Sequence, residues 1–110
     1  MKQHAPKTFY TIVVYVPDSH VEKVKDALFE TGAGQLDNYD RCCWQTMGMG
    51  QFRPGIDSNP FIGKESRLEK VAEFRLEMVC APDVLRLAIS ALKASHPYEA
   101  PAFHYWQVQG

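Results

Sequence analysis

The sequence predicts a ferredoxin-like sandwich of class α+β: strand, helix, strand, strand, helix, strand, with a long loop between strands 2 and 3. Three observations carry the prediction. Apolar residues recur at helical spacing in two segments, one after Pro17 and one after Pro82, and at strand spacing between and around them. The two helical segments echo each other. Val16-Pro17-Asp18 opens the first much as Ala81-Pro82-Asp83 opens the second, and Val21, Val24, Ala27 and Leu28 correspond, with one residue of slip, to Leu85, Ala88, Ala91 and Leu92. Two right-handed βαβ-type units placed side by side give this sandwich. Finally, the first and third strands are the greasier ones, as the central positions of such a sheet require.

Residues 9–16 (FYTIVVYV) are β-branched and aromatic on both faces, so they read as a buried central strand that Pro17 ends. Ser19 with Glu22 fits a capping box, with Asp18 as the competing cap. Val21, Val24, Ala27, Leu28 and Thr31 then line one helical face, while Glu22, Lys23, Lys25 and Asp26 face water. Gly32-Ala33-Gly34 supplies the stop. Residues 41–47 (RCCWQTM) read as the second strand, and Gly48 and Gly50 suggest a bulge or bend after it.

Residues 53–66 hold two prolines and two glycines and form a loop too long for a hairpin turn, which makes it functional or an arm reaching a neighbour. Residues 73–80 alternate: Phe74, Leu76, Met78 and Cys80 take one face, Glu73, Arg75, Glu77 and Val79 the other. Pro82 suits a first helical turn, Val84, Leu85, Ala88, Ala91 and Leu92 form the inner face of the second helix, and His96-Pro97 ends it. Residues 102–108 make the last strand. It is an edge, neither charged nor short, and carries Phe103, Tyr105, Trp106 and Val108. An edge of that kind must be covered or paired, which predicts a homo-oligomer.

The chain reads as one domain over residues 1–110, with a flexible N-terminus over 1–7. A net charge of −1 argues against a nucleic-acid or anionic-membrane binder. Neither a membrane-length apolar run nor a secretory h-region is present, so the expected location is cytoplasmic. Three cysteines, two of them adjacent at 42 and 43, are no disulfide framework. The sequence contains no P-loop, Gly-rich dinucleotide turn, His-Glu-x-x-His or Cys-x-x-Cys, and an enzyme is not the expected reading.

The densest chemistry lies in His96-Pro97-Tyr98-Glu99-Ala100-Pro101, where two prolines stiffen a corner that carries an imidazole, a phenol and a carboxylate. His96 is either a metal ligand or a cap on the helix C-terminus. Glu99 can bind a metal, accept backbone hydrogen bonds, or pair with Arg53 or Arg41. A thiolate joining them, from Cys42 or Cys43, would favour a soft or borderline divalent ion such as copper or zinc. The histidines 4, 20 and 104 complete a sparse cast with no structural zinc spacing, and Cys80 reads as core. Alternation along a strand would send Cys42 and Cys43 to opposite faces. Trp44, with Tyr39, Phe52 and Arg53 near it in sequence, makes an aromatic and polar cluster suited to a planar ligand, or, the favoured reading, to a subunit interface.

Three strings occur in order: Asn38-Tyr39-Asp40 through Cys42, Trp44-Gln45-Thr46, Gly48, Gly50 and Phe52-Arg53-Pro54; then Asn59-Pro60-Phe61-Ile62-Gly63; then His96-Pro97-Tyr98-Glu99 with Pro101-Ala102. Together they resemble the YqfO-like proteins of the Ngg-interacting-factor-three family. The resemblance runs over nearly the whole chain and is to a domain inserted within a larger protein, here as a stand-alone chain. The flanking halves of that larger protein carry a dinuclear metal centre, whose ligands are not reproduced in this sequence. The insert is in turn similar to CutA, the divalent-cation-tolerance family, and more distantly to PII signalling proteins. That kinship implies a ferredoxin-like fold, a trimer built by edge pairing, and a binding or regulatory role with copper or another divalent ion as ligand. The residues it implies for the metal are His96, Glu99 and Cys42. Two departures are visible: Cys43 replaces an expected small residue, and Ala100 removes a possible oxygen ligand.

The leading expectation is therefore a non-enzymatic CutA-like protein that senses or buffers a divalent metal. The alternative is a PII-like module for a small molecule or a protein partner, without metal, that reads its ligand with the 53–66 loop and residues such as Tyr39, Trp44, Arg53 and Tyr98. A hydrolase is the third and weakest reading.

Overall fold

The computed structural model describes residues 6–110. Most of the N-terminal segment expected to be flexible, and His4 with it, lies outside the described residues. The elements are β1 (Thr8–Pro17), α1 (Val21–Glu30), β2 (Trp44–Phe52), β3 (Glu69–Cys80), α2 (Leu85–Ser95) and β4 (Phe103–Gln109), with a short 3-10 turn before each helix. The four strands form one antiparallel sheet in the order β2-β3-β1-β4, the arrangement of a ferredoxin-like sandwich, with β1 and β3 central as expected.

Both helices cover one face. Ile12, Val14 and Val16 of β1 and Leu76, Met78 and Cys80 of β3 pack with Val21, Val24 and Leu28 of α1 and Ala88 and Leu92 of α2. Fully burying a side chain of this kind is worth about 1.5–3 kcal/mol, so this cluster is the main source of stability. On the reverse face, the same strands present Thr11, Val13 and Tyr15, and Glu73, Arg75 and Glu77.

Three local expectations are corrected. The capping box does not form: a 3-10 turn, Asp18–His20, precedes α1, and the Ser19 hydroxyl bonds His20 Nδ1 at 2.8 Å instead of capping the helix. The second strand is Trp44–Phe52 instead of residues 41–47. The backbone around Arg41 turns through a positive φ of 55°, and Cys42 N–H is held by the Gly34 carbonyl at 2.8 Å, so Cys42 and Cys43 belong to a loop and strand alternation does not govern them. No bulge follows Trp44: residues 44–52 pair in unbroken register with residues 77–69. The helix stop is as expected, with Gly32 at φ 97° and its N–H on the Phe29 carbonyl.

The molecule measures 57 × 24 × 21 Å, and its radius of gyration of 15.7 Å exceeds the roughly 13 Å of a compact domain of this length. The excess lies in the β2–β3 arm, whose Met47 and Met49 are exposed because no helix underlies them.

Candidate functional site

The proline-bracketed corner leaves α2 and turns into β4. His96 is the residue after the last helical position and is extended (φ −77°, ψ 137°), as a residue before proline must be. Its ring is buried. Nε2 lies 2.7 Å from the Tyr15 carbonyl, and Nδ1 accepts the Tyr98 backbone N–H at 3.1 Å. A carbonyl only accepts, so Nε2 carries the proton and the ring is neutral. Burial lowers the His96 pKa below its ordinary value of 6.5; the Tyr15 bond opposes this and the charge of His20 adds to it. His96 thus rivets the corner to β1.

Beyond it, Tyr98 and Glu99 enter a cleft of about 350 Å³. The floor is the uncovered face of the sheet, with Tyr15, Phe52 and Glu73, and the wall is the loop after β2, with Arg53, Pro60 and Phe61. The loop is tied down by Glu99, whose two carboxylate oxygens both accept the Asn59 N–H at 3.1 Å. Glu99 thus acts as a backbone acceptor, and Arg41 pairs with Asp26 at 3.6 Å instead of with Glu99. Tyr98 is flanked by Phe52 and Phe61, with ring centroids 6.1 and 6.3 Å away and planes tilted by 53° and 46°.

The Tyr98 hydroxyl donates to Glu73 Oε2 over a long 3.5 Å. Burial, with the Glu73 charge and hydrogen bond added, pushes the Tyr98 pKa up to about 12. Burial also raises the Glu73 carboxyl above 4.5, against the lowering effect of the Tyr98 bond. Glu73 lies over the strand because residue 50 is glycine: a Cβ there would overlap the Glu73 carboxylate. Gly50 therefore marks a close approach and not the expected bend.

The structure brings together only part of the residue set expected from the sequence. Arg53 and Tyr98 share the cleft. Tyr39 and Trp44 are exposed and do not line it. His96, Glu99 and Cys42 do not meet: no group of three or more His, Cys, Asp and Glu with metal-binding geometry occurs among the described residues. Cys42 Sγ instead contacts the Asp40 carbonyl at 3.6 Å. The residues missed in the sequence are Glu73, Phe61 and Asn59. Glu73 had a signal, since a strand glycine implies something lying over it, but Glu73 sits opposite Gly48 in the register and reaches over Gly50 diagonally, which no sequence pattern shows.

No family model matches the chain. It is 39% identical over 97 residues to a GTP cyclohydrolase 1 type 2 homolog of Halalkalibacterium halodurans, covering 88% of this chain and 26% of that protein. A Bacillus cereus protein related to NIF3 superposes with a TM-score of 0.80 at 31% identity, covering 97% of this chain and 28% of the other. The chain corresponds in sequence and fold to one domain of the YqfO-like, NIF3-related proteins. It spans about a quarter of the length of the curated YqfO-like relatives it matches. The fold of this YqfO-like chain is also that of the PII-like protein CutA from Nostoc sp. PCC 7120, with a TM-score of 0.64 at 16% identity over 90% of this chain and 80% of that one. No helix among the described residues is long and apolar enough to cross a membrane.

Proposed function

We propose that the chain is a non-enzymatic, CutA/PII-like regulatory module that binds a small ligand in the cleft between the β2–β3 loop and the Tyr98–Glu99 corner, and that it works as a homo-oligomer. The observation that carries this reading is the cleft itself. Its volume of about 350 Å³ is in the range of small-molecule sites. Its walls are aromatic, and its few polar groups converge on one space. The corner is already rigid through His96, and the loop is already tethered through Glu99, so a ligand need not order them on binding.

The oligomer is supported by three features. The outer edge of β4 is unpaired among the described strands, Trp44 and Trp106 are exposed on the uncovered sheet face, and the β2–β3 arm extends past the helices. The resemblance to CutA makes a trimer the expected form. The divalent-metal reading asks more of these residues. To ligate copper or zinc, His96 must give up the Tyr98 N–H at Nδ1 or the Tyr15 carbonyl at Nε2.

The test is a thermal-shift screen of metabolites, nucleotides, and copper and zinc ions, repeated on Tyr98→Ala. A native-state ligand raises the melting temperature, and the gain is expected to vanish in the variant. A hit that survives Tyr98→Ala lies outside the cleft and overturns the assignment.

A further inference from the structure

We infer that the cleft selects an organic ammonium cation, the class that includes alkylated amines and quaternary ammonium groups. The inference rests on the ligand-cleft reading above and narrows it to a chemical class. The three rings are its first support. Phe52 and Phe61 both neighbour Tyr98 in the cleft and are tilted against it by 53° and 46°, so the three rings do not stack on one another. The faces of such rings carry partial negative charge and attract cations, most strongly bulky ones that are weakly hydrated.

The second support is independent of the rings. Glu73 is a partly buried carboxylate on the floor of the same cleft, and no salt bridge among the described residues involves it. Its only hydrogen-bond partner among the described residues is the Tyr98 hydroxyl, at 3.5 Å. A carboxylate withdrawn from water without a counter-charge is destabilising, and a bound cation removes that penalty. Arg53 lines the cleft but pairs with neither Glu73 nor Glu99, and its side chain is exposed, which leaves the interior free for a positive ligand. Glu99 already accepts the Asn59 N–H, which leaves Glu73 as the lining carboxylate that holds no backbone donor.

The experiment is an NMR titration of the full chain with choline and with 3,3-dimethyl-1-butanol, the neutral carbon isostere of choline, followed on the Tyr98 and Phe52 resonances. Choline is expected to shift them saturably, and the isostere to bind at least tenfold more weakly. Glu73→Gln is expected to weaken choline by about tenfold and leave the isostere unchanged, and Tyr98→Leu to weaken both. Equal binding of choline and the isostere, or an unchanged choline affinity in Glu73→Gln, overturns the cation assignment. If ATP or another anion shifts these resonances and choline does not, the ligand cleft stands and the cation class falls. If no probe moves them at millimolar concentration, both readings fall.

Discussion

Beneath the helices, alternate residues of β1 and β3 are apolar and sealed: Ile12, Val14 and Val16, and Leu76, Met78 and Cys80. On the reverse face, the residues between them are Thr11, Val13 and Tyr15, and Glu73, Arg75 and Glu77, with Trp44 from β2 and His104 and Trp106 from β4 in register beside them. The two faces are built from the same strands and differ in how their groups are settled. On the covered side the residues of the core cluster pack on one another and the polar Ser95 hydroxyl reaches the Ala91 carbonyl at 2.8 Å, although beside them the Gln45 side-chain oxygen is buried without a partner. On the open side Glu73 has no counter-charge, Trp44 is 59% exposed and Trp106 is 43% exposed. The covered face makes the domain stable; the open face keeps groups available to something outside the chain.

That division predicts a graded series of effects. Leu28→Ala, on the covered side, removes a fully buried side chain and is expected to cost about 2–5 kcal/mol in chemical denaturation. A loss below 1 kcal/mol would mean that the core is not concentrated there. His96→Ala sits at the boundary between the faces. It strands the Tyr15 carbonyl and the Tyr98 N–H, and a loss of about 2–4 kcal/mol is expected. The wild-type melting temperature should be unmoved by copper or zinc if His96 is only a rivet.

On the open side, Trp106→Glu is expected to change stability per chain little but to shift the assembly toward monomer, read by analytical ultracentrifugation. An unchanged sedimentation profile would remove Trp106 from the subunit contact. The smallest expected effect is that of Glu73→Gln, neutral to slightly stabilising at pH 7, because it removes an unpaired, partly buried charge.

The pH dependence of stability separates the same two groups. His96 has a lowered pKa in the folded chain, so below its unfolded value of 6.5 the unfolded state binds more protons, and stability falls as pH drops toward the folded pKa. Glu73 has a raised pKa, so above 4.5 the folded state binds more protons, and stability rises as pH falls through that window. The two contributions have opposite sign, that of Glu73 acting upward from pH 4.5 and that of His96 downward from pH 6.5. Melting temperatures of Glu73→Gln should therefore fall more steeply with acid than those of the wild type. Parallel curves would mean that Glu73 feels no burial in solution.

The covered face was legible because burial leaves a period in the sequence. Leu76, Met78 and Cys80 alternate, and Val21, Val24 and Leu28 recur at helical spacing, so the element order and the central strands follow directly. The stiff corner at His96-Pro97 was legible for the same local reason, since proline acts on its neighbour. The cleft was only half legible. Arg53 and Tyr98 could be picked by type, but Phe61 and Glu73 reach them through strand register and a loop tether, and neither leaves a periodic trace. The start of β2 was misplaced because Cys42 and Cys43 look strand-like, while the backbone around them is committed to Gly34. The partner of Glu99 is a backbone N–H forty residues away, and backbone donors are the same in every sequence.

Gly48 and Gly50 lie two positions apart on one strand. A methyl group at 48 would meet nothing within 4 Å, whereas one at 50 would collide with the Glu73 carboxylate. Position 48 is therefore free to drift among relatives, and a β-former there would even strengthen the strand. At position 50 a larger residue requires the Glu73 carboxylate to swing away from its place over the strand. Across a set of homologous sequences, a side chain at position 50 should therefore mark chains in which the carboxylate at position 73, where present, is displaced from the floor of this cleft.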